Sequence, residues 1–287
     1  MNRPERGIAM FQKLFKYEAL AVGRVMVPVW LGALVLAVLS GGAMQLQNLP
    51  PFSGTPFLVI LWTVVAPLSV LSLLAVIAVC IAANIQRFYT LLGVRGYLYF
   101  CLPVNPWQQL AAKWAVAMVS SAISVPVLLL CSWLMGGDWR LTLFAGDHAL
   151  IRIEDLDLTW QGVGSTAYTI LLAALAVSFV YLYFYLCIGI GAHWPQHRLA
   201  ASVIVYFVLS FILQVLLLLG LVVLGVYLYN MLDYEYTAFA LVTDAQRTKW
   251  TIRNTLLIAS PGLLLAAANG ILWAVNLRLI GKKLNLA

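Results

Sequence analysis

Five long stretches of the chain, 25–86, 114–137, 158–197, 199–232 and 254–277, contain no Asp, Glu, Lys or Arg and are filled mainly with apolar residues. Each is at least as long as the roughly 20 residues that a helix needs to cross hydrocarbon. The first is too long for one crossing and is punctuated by Asn48, Pro50, Pro51, Ser53, Gly54 and Pro56, a turn-forming cluster, so it holds two. The stretch 158–197 opens on polar residues and closes on His193, Trp194, Pro195, Gln196 and His197, which leaves one crossing inside it. The pattern therefore predicts an all-α integral membrane protein with six transmembrane helices, near 25–45, 56–84, 112–135, 166–191, 201–229 and 255–277.

Two segments outside these spans are also patterned. In residues 8–24, Phe11, Leu14, Phe15 and Val22 fall on one helical stripe, with Lys13, Lys16 and Arg24 away from it. This predicts an amphipathic helix over 1–24 lying in the membrane interface, ahead of a transmembrane domain over 25–287. Glu18 interrupts the apolar stripe, where a carboxylate needs a cation or a route to water. Arg87, Arg95 and Lys113 are its candidate partners. Between spans two and three, Gly93 and Gly96 flank a short basic turn, and Tyr97, Leu98, Tyr99, Phe100 and Leu102 follow as an apolar and aromatic run that Pro103 ends. A short interfacial helix is expected there. The next helix restarts with Asn105 as N-cap, Pro106 at its first position and Gln108 three residues after the cap.

The loops 136–165 and 230–254 are too short for independent domains, and the rough alternation of Ile151, Ile153, Leu156, Leu158 and Trp160 predicts a short strand or extended edge. Pro28, Pro67, Pro126 and Pro261 lie inside spans and predict kinks.

Composition agrees with a lipid environment. Of 287 residues 63% are hydrophobic and 9% charged, against about 25% charged in soluble domains; the mean hydropathy is +0.96. With the amino terminus in the cytosol, Arg3, Arg6, Lys13, Lys16, Arg24, Arg87, Arg95, Lys113, Arg198, Arg278, Lys282 and Lys283 fall on the cytosolic side. Only Arg140, Arg152, Arg247, Lys249 and Arg253 fall outside, as expected when both termini are cytosolic. The net charge of +7 is thus a membrane signature and not a nucleic-acid footprint. Residues 1–24 lack the form of a cleavable signal, so the first span is expected to be retained. Cys80, Cys101, Cys131 and Cys187 have no CxxC spacing and read as small apolar residues.

Candidate chemistry is sparse. The centres of the spans carry no ionisable Asp, Glu, Lys or Arg, which disfavours a carrier driven by an ion gradient. Ser69, Ser72, Ser121, Ser124, Gln214 and Asn269, with Tyr181, Tyr183, Tyr185 and Tyr206, are read as interhelical hydrogen-bonding groups. His193 and His197 stand four apart but with Pro195 between them and no HExxH, and Glu154, Asp155 and Asp157 lack the spacing of a calcium loop. No G-x-S-x-G or G-x-x-x-x-G-K-[ST] occurs, so the chain is not expected to be an enzyme and energy from ATP would come through another polypeptide.

Three stretches together resemble the membrane subunit of bacterial ABC exporters of the ABC type-2 family, in a group common in Gram-positive bacteria. Lys16-Tyr17-Glu18 with Gly23-Arg24 and Pro28 resembles that group's opening "KYE…GR…P". Arg87-Phe88-Tyr89, Leu92, Gly96-Tyr97-Leu98, Phe100, Leu102-Pro103-Val104 and Lys113 resemble its "RFY…L…GYL.F.LPV" connector, and Lys282-Lys283-Leu284-Asn285-Leu286 its "KKLNL" tail. Val94-Arg95 departs from the acidic residues those relatives carry before Gly96. The match covers about a quarter of the chain. The resemblance implies an amphipathic elbow helix before span one, with Glu18 and Arg24 in its polar contact. It also implies a cytosolic coupling helix at Arg95, Gly96, Tyr97, Leu98, Tyr99, Phe100, Leu102 and Pro103 that docks into ATPase subunits holding ATP and Mg. A second permease copy or a homologous permease, and membrane lipids, are the other implied partners. The implied location is the bacterial cytoplasmic membrane. A membrane scaffold or immunity protein that transports nothing is the alternative.

Overall fold

A computed structural model of the chain describes residues 3–48, 55–92, 105–136, 160–194, 196–238 and 244–284. Six helices occupy them: α1 Arg3–Asn48, α2 Pro56–Leu92, α3 Pro106–Gly136, α4 Trp160–Gly191, α5 Arg198–Ala238 and α6 Asp244–Leu284. Each contains a stretch long and apolar enough to cross a membrane. The six-helix expectation from charge-free runs is met, and a multi-pass membrane protein follows from it. The helices pass through Pro28, Pro67, Pro126 and Pro261. α3 opens as the Asn105-Pro106 pattern predicts, with the Asn105 carbonyl accepting bonds from the amides of Gln108 and Gln109. The expected strand near 151–160 lies outside the described residues, apart from Trp160, which begins α4.

From Arg3 through the first span α1 is one helix of 46 residues, about 69 Å long against a hydrocarbon core of roughly 30 Å. Phe11, Leu14, Phe15, Glu18 and Val22 are buried or partly buried while Lys13, Lys16 and Arg24 are exposed, and the same face continues upward as Met26, Ala33 and Ala37. From Phe15 to Ala37 one stripe packs against α2 and α3.

The chain divides into two units, Met1–Tyr181 and Leu182–Ala287, with the boundary inside α4. In the first, α1 packs on α2 and α3, and α2 on α3. α1 and α3 run side by side in the same direction in nearly constant register: Glu18 meets Lys113, Trp30 meets Ser124, and Gly41 meets Leu134. The two helices thus stay together over 23 residues of α1, from 18 to 41, or about 35 Å. Small residues make this approach possible. Ala33, Ala37 and Gly41 recur every fourth position, and a methyl group at Gly41 would collide with the Leu134 carbonyl. Val76, Leu128 and Cys131 fill the core beside the alanines.

In the second unit, Asn276 of α6 is buried and donates to the Leu182 carbonyl of α4 at 3.0 Å, as well as to Leu272 in its own helix. Gly189 gives room to the Leu279 side chain. The turn after α4 brings α5 back so closely that a side chain at Gly191 would strike Ser202. Tyr183 bonds Ser210 at 2.8 Å, and Phe184 stacks on Tyr206 with centroids 5.4 Å apart.

Candidate functional site

The most strongly determined polar site is a buried ion pair joining the amino-terminal halves of α1 and α3. Lys113 Nζ donates to Glu18 Oε1 at 2.6 Å, with the two side chains only 5% and 6% exposed, and to the Arg87 carbonyl of α2 at 3.1 Å. One ammonium therefore ties three helices together. The helical stripe delivers Glu18, because it sits on the face that α1 turns toward α3. Lys113 is delivered by the buried start of α3, where Gln109, Leu110, Ala111 and Ala112 also turn inward. Of the three cations weighed for Glu18, Lys113 is the partner; Arg87 contributes its backbone carbonyl, and Arg95 lies outside the described residues. Arg24 is exposed on α1.

A buried carboxylate and ammonium of this kind are strongly interdependent: either charge left alone in apolar surroundings is far more costly than the pair. The site is thus a clamp between α1, the end of α2 and the start of α3. α2 ends at Leu92 and α3 begins at Pro106, so the clamp lies at the two roots of the connector. The predicted coupling residues Arg95, Gly96, Tyr97, Leu98, Tyr99, Phe100, Leu102 and Pro103 lie outside the described residues. Its root on α2 is well packed: Phe88 and Leu91 are almost completely buried.

About 10 Å further along α3, seven residues on from Lys113, a second polar layer begins at Ser120. Asn84 Nδ2 donates to Ser120 Oγ at 3.0 Å and to the Cys80 carbonyl at 2.8 Å. Ser121 and the Tyr181 hydroxyl are 2.7 Å apart, and the Cys80 thiol lies 3.7 Å from Tyr181. Trp30 Nε1 donates to Ser124 Oγ, and Trp114 Nε1 to Ser178 Oγ. The layer thereby reaches α1, α2, α3 and the first-unit part of α4. Ser121, Ser124 and Tyr181 are among the groups singled out from the sequence. Asn84, Ser120 and Ser178 were not, and Cys80 was read only as a small apolar residue, although Asn84, at the end of the second predicted span, is an amide in an apolar run. Ser69, Ser72 and Asn269 bond carbonyls of their own helices at Ala66, Ser69 and Leu265. Tyr183 bonds Ser210 and Tyr206 stacks in the second unit, as described above.

A cavity of about 520 Å³ opens toward the other ends of α1 and α3. Its lining is mainly apolar, with Met44, Trp62, Ala66, Pro67, Val70, Leu73 and Met135, and three hydroxyls from Ser40, Thr63 and Ser132. Thr63 and Ser132 direct their hydroxyls to the carbonyls of Val59 and Leu129 in their own helices, which leaves a surface suited to apolar groups. His193 bonds the Gly189 carbonyl through its ring, and both His193 and His197 are exposed at the α4–α5 turn. No family model matches the sequence, and no match was found among curated proteins or solved structures.

Proposed function

We propose that the chain is the transmembrane subunit of an ATP-driven exporter of the ABC type-2 class. It would act in the bacterial cytoplasmic membrane with both termini cytosolic, paired with a second permease and served by ATPase chains that hold ATP and Mg. The observation that carries this reading is the Lys113 clamp at the roots of the connector. A force applied to the segment 93–104 reaches α2 at Leu92 and α3 at Pro106, and both roots are bound to α1 through Lys113. The motion delivered by ATP closure is then shared by α1, α2 and α3 as one body, which suits rigid transmission. The apolar cavity at the far end of these helices supports a hydrophobic cargo such as a lipid, drug or apolar peptide. The aromatic run Tyr97 to Phe100 supplies anchors for a cleft in the ATPase.

Orientation is tested by single cysteines at Gly146, Thr243 and Gln196: an impermeant maleimide applied to intact cells should label the first two and not the third. The function is tested with the complex reconstituted in vesicles. Tyr99→Ala combined with Phe100→Ala should weaken ATPase binding or let hydrolysis run without transport, while the protein still inserts and dimerises. Unchanged transport by the double variant would refute the coupling role.

A further inference from the structure

We propose that two copies of this chain associate through the α5 face bearing Phe207, Phe211, Gln214 and Leu218, with the two Gln214 carboxamides hydrogen-bonded to each other across a two-fold axis. No residue from Arg198 to Gly220 is buried, although the segment is among the most apolar in the protein. Phe207, Phe211 and Leu218 are 66%, 68% and 62% exposed, and Gln214 is exposed between them. The four positions follow at intervals of four, three and four, the alternation that makes a seam between two helices. At about 100° per residue they fall within an arc of roughly 60°.

Gln214 is what distinguishes a protein partner from lipid. It lies near the middle of the charge-free run 199–232, and its side chain has no hydrogen bond among the described residues. Lipid tails offer neither a donor nor an acceptor, and water is scarce at that depth, so an amide there requires a polar group from another helix. A carboxamide carries both an N–H donor and a carbonyl acceptor. A second copy related by a two-fold axis brings the matching pair, each amide N–H donating to the other's carbonyl, and the flanking Phe207, Phe211 and Leu218 meet their own counterparts. The opposite face of α5, with Ile212, Leu216 and Leu219, is exposed and wholly apolar, as a lipid-facing surface should be. This inference deepens the pairing with a second permease proposed above by naming the copy and the face, and a failed seam would leave the connector's coupling test untouched.

The test uses the full chain in native-like bilayers with Cys101→Ser as background, because Cys80, Cys131 and Cys187 are buried. Single cysteines at 207, 211 and 218 should form oxidant-induced dimers, and those at 212, 216 and 219 should not. Equal cross-linking on both faces, or none on the seam, would overturn the proposal, as would a purified chain that is monomeric at all densities in the bilayer. Gln214→Leu should weaken dimerisation by about three- to thirtyfold in single-molecule photobleaching, with the thermal midpoint of the monomer unchanged. An unaltered dimer in Gln214→Leu would show that the amide does not join the copies and would likewise overturn it.

Discussion

In α1–α3 polar side chains of apolar helices find one another, whereas the central amide of α5 finds none among the described residues. Glu18 meets Lys113, Trp30 meets Ser124 and Asn84 meets Ser120, each across a helix interface. Gln214 stands exposed between phenylalanines. The contrast extends to side-chain size: α1 presents Ala33, Ala37 and Gly41 to its neighbours, and α5 presents Phe207, Phe211 and Leu218 outward. Small residues allow the backbones of α1 and α3 to approach, and the large ones on α5 stand exposed. One region is joined by polar contacts between its own helices. The other carries an amide side chain with no hydrogen-bond partner among the described residues.

The largest expected effect comes from breaking the clamp. Lys113→Ala leaves the Glu18 carboxylate buried without its ammonium and should destabilise the protein by about 3–5 kcal/mol, read as a lowered denaturation midpoint in detergent. Glu18→Gln with Lys113→Met removes both charges and should recover most of that loss. If the double variant is no better than Lys113→Ala, the cost is one of packing and not of an orphaned charge.

A smaller effect separates neighbouring glycines. Gly41→Ala drives a methyl group into the Leu134 carbonyl and should cost about 1–3 kcal/mol, whereas Gly42→Ala, with no atom near the new methyl, should be close to neutral. Equal effects in a thermal-shift comparison would mean that α1 and α3 do not approach as described. The smallest effect sharpens the comparison with α5: Asn84→Leu should cost about 0.6 kcal/mol in stability, while Gln214→Leu should leave monomer stability alone. Equal losses of stability from the two would place Gln214 inside the fold of one chain.

The sequence revealed the number of helices because charge-free runs are a direct reading of the lipid solvent, but it did not reveal their ends. α5 reaches Ala238 and α6 begins at Asp244, past the limits set by charge, since a helix continues into water wherever nothing stops it. The segment 8–24 showed its stripe plainly, but a stripe has the same period whether it faces lipid headgroups or another helix, so the packing of Val22 on α2 and α3 was legible only in tertiary contact. Glu18 was visible as a misplaced carboxylate, but its partner is 95 residues away, a separation that local spacing cannot read. Ser120 gave no signal, because a hydroxyl in an apolar helix is as often bonded to its own backbone, and Cys80 read only as a small apolar residue. Gln214 was legible as an embedded amide, and its exposure was not.

The central claim is that Lys113 makes α1, α2 and α3 a single moving body beneath the connector, and a distance between spin labels tests it most directly. Labels at the exposed positions Lys16 and Trp107, on α1 and α3 beside the clamp, should give one narrow distance in the reconstituted complex, unchanged when ATP is added. The same pair in Lys113→Ala should give a broad distribution. A native distance that shifts with ATP, or a Lys113→Ala distribution as narrow as the native one, would contradict the account.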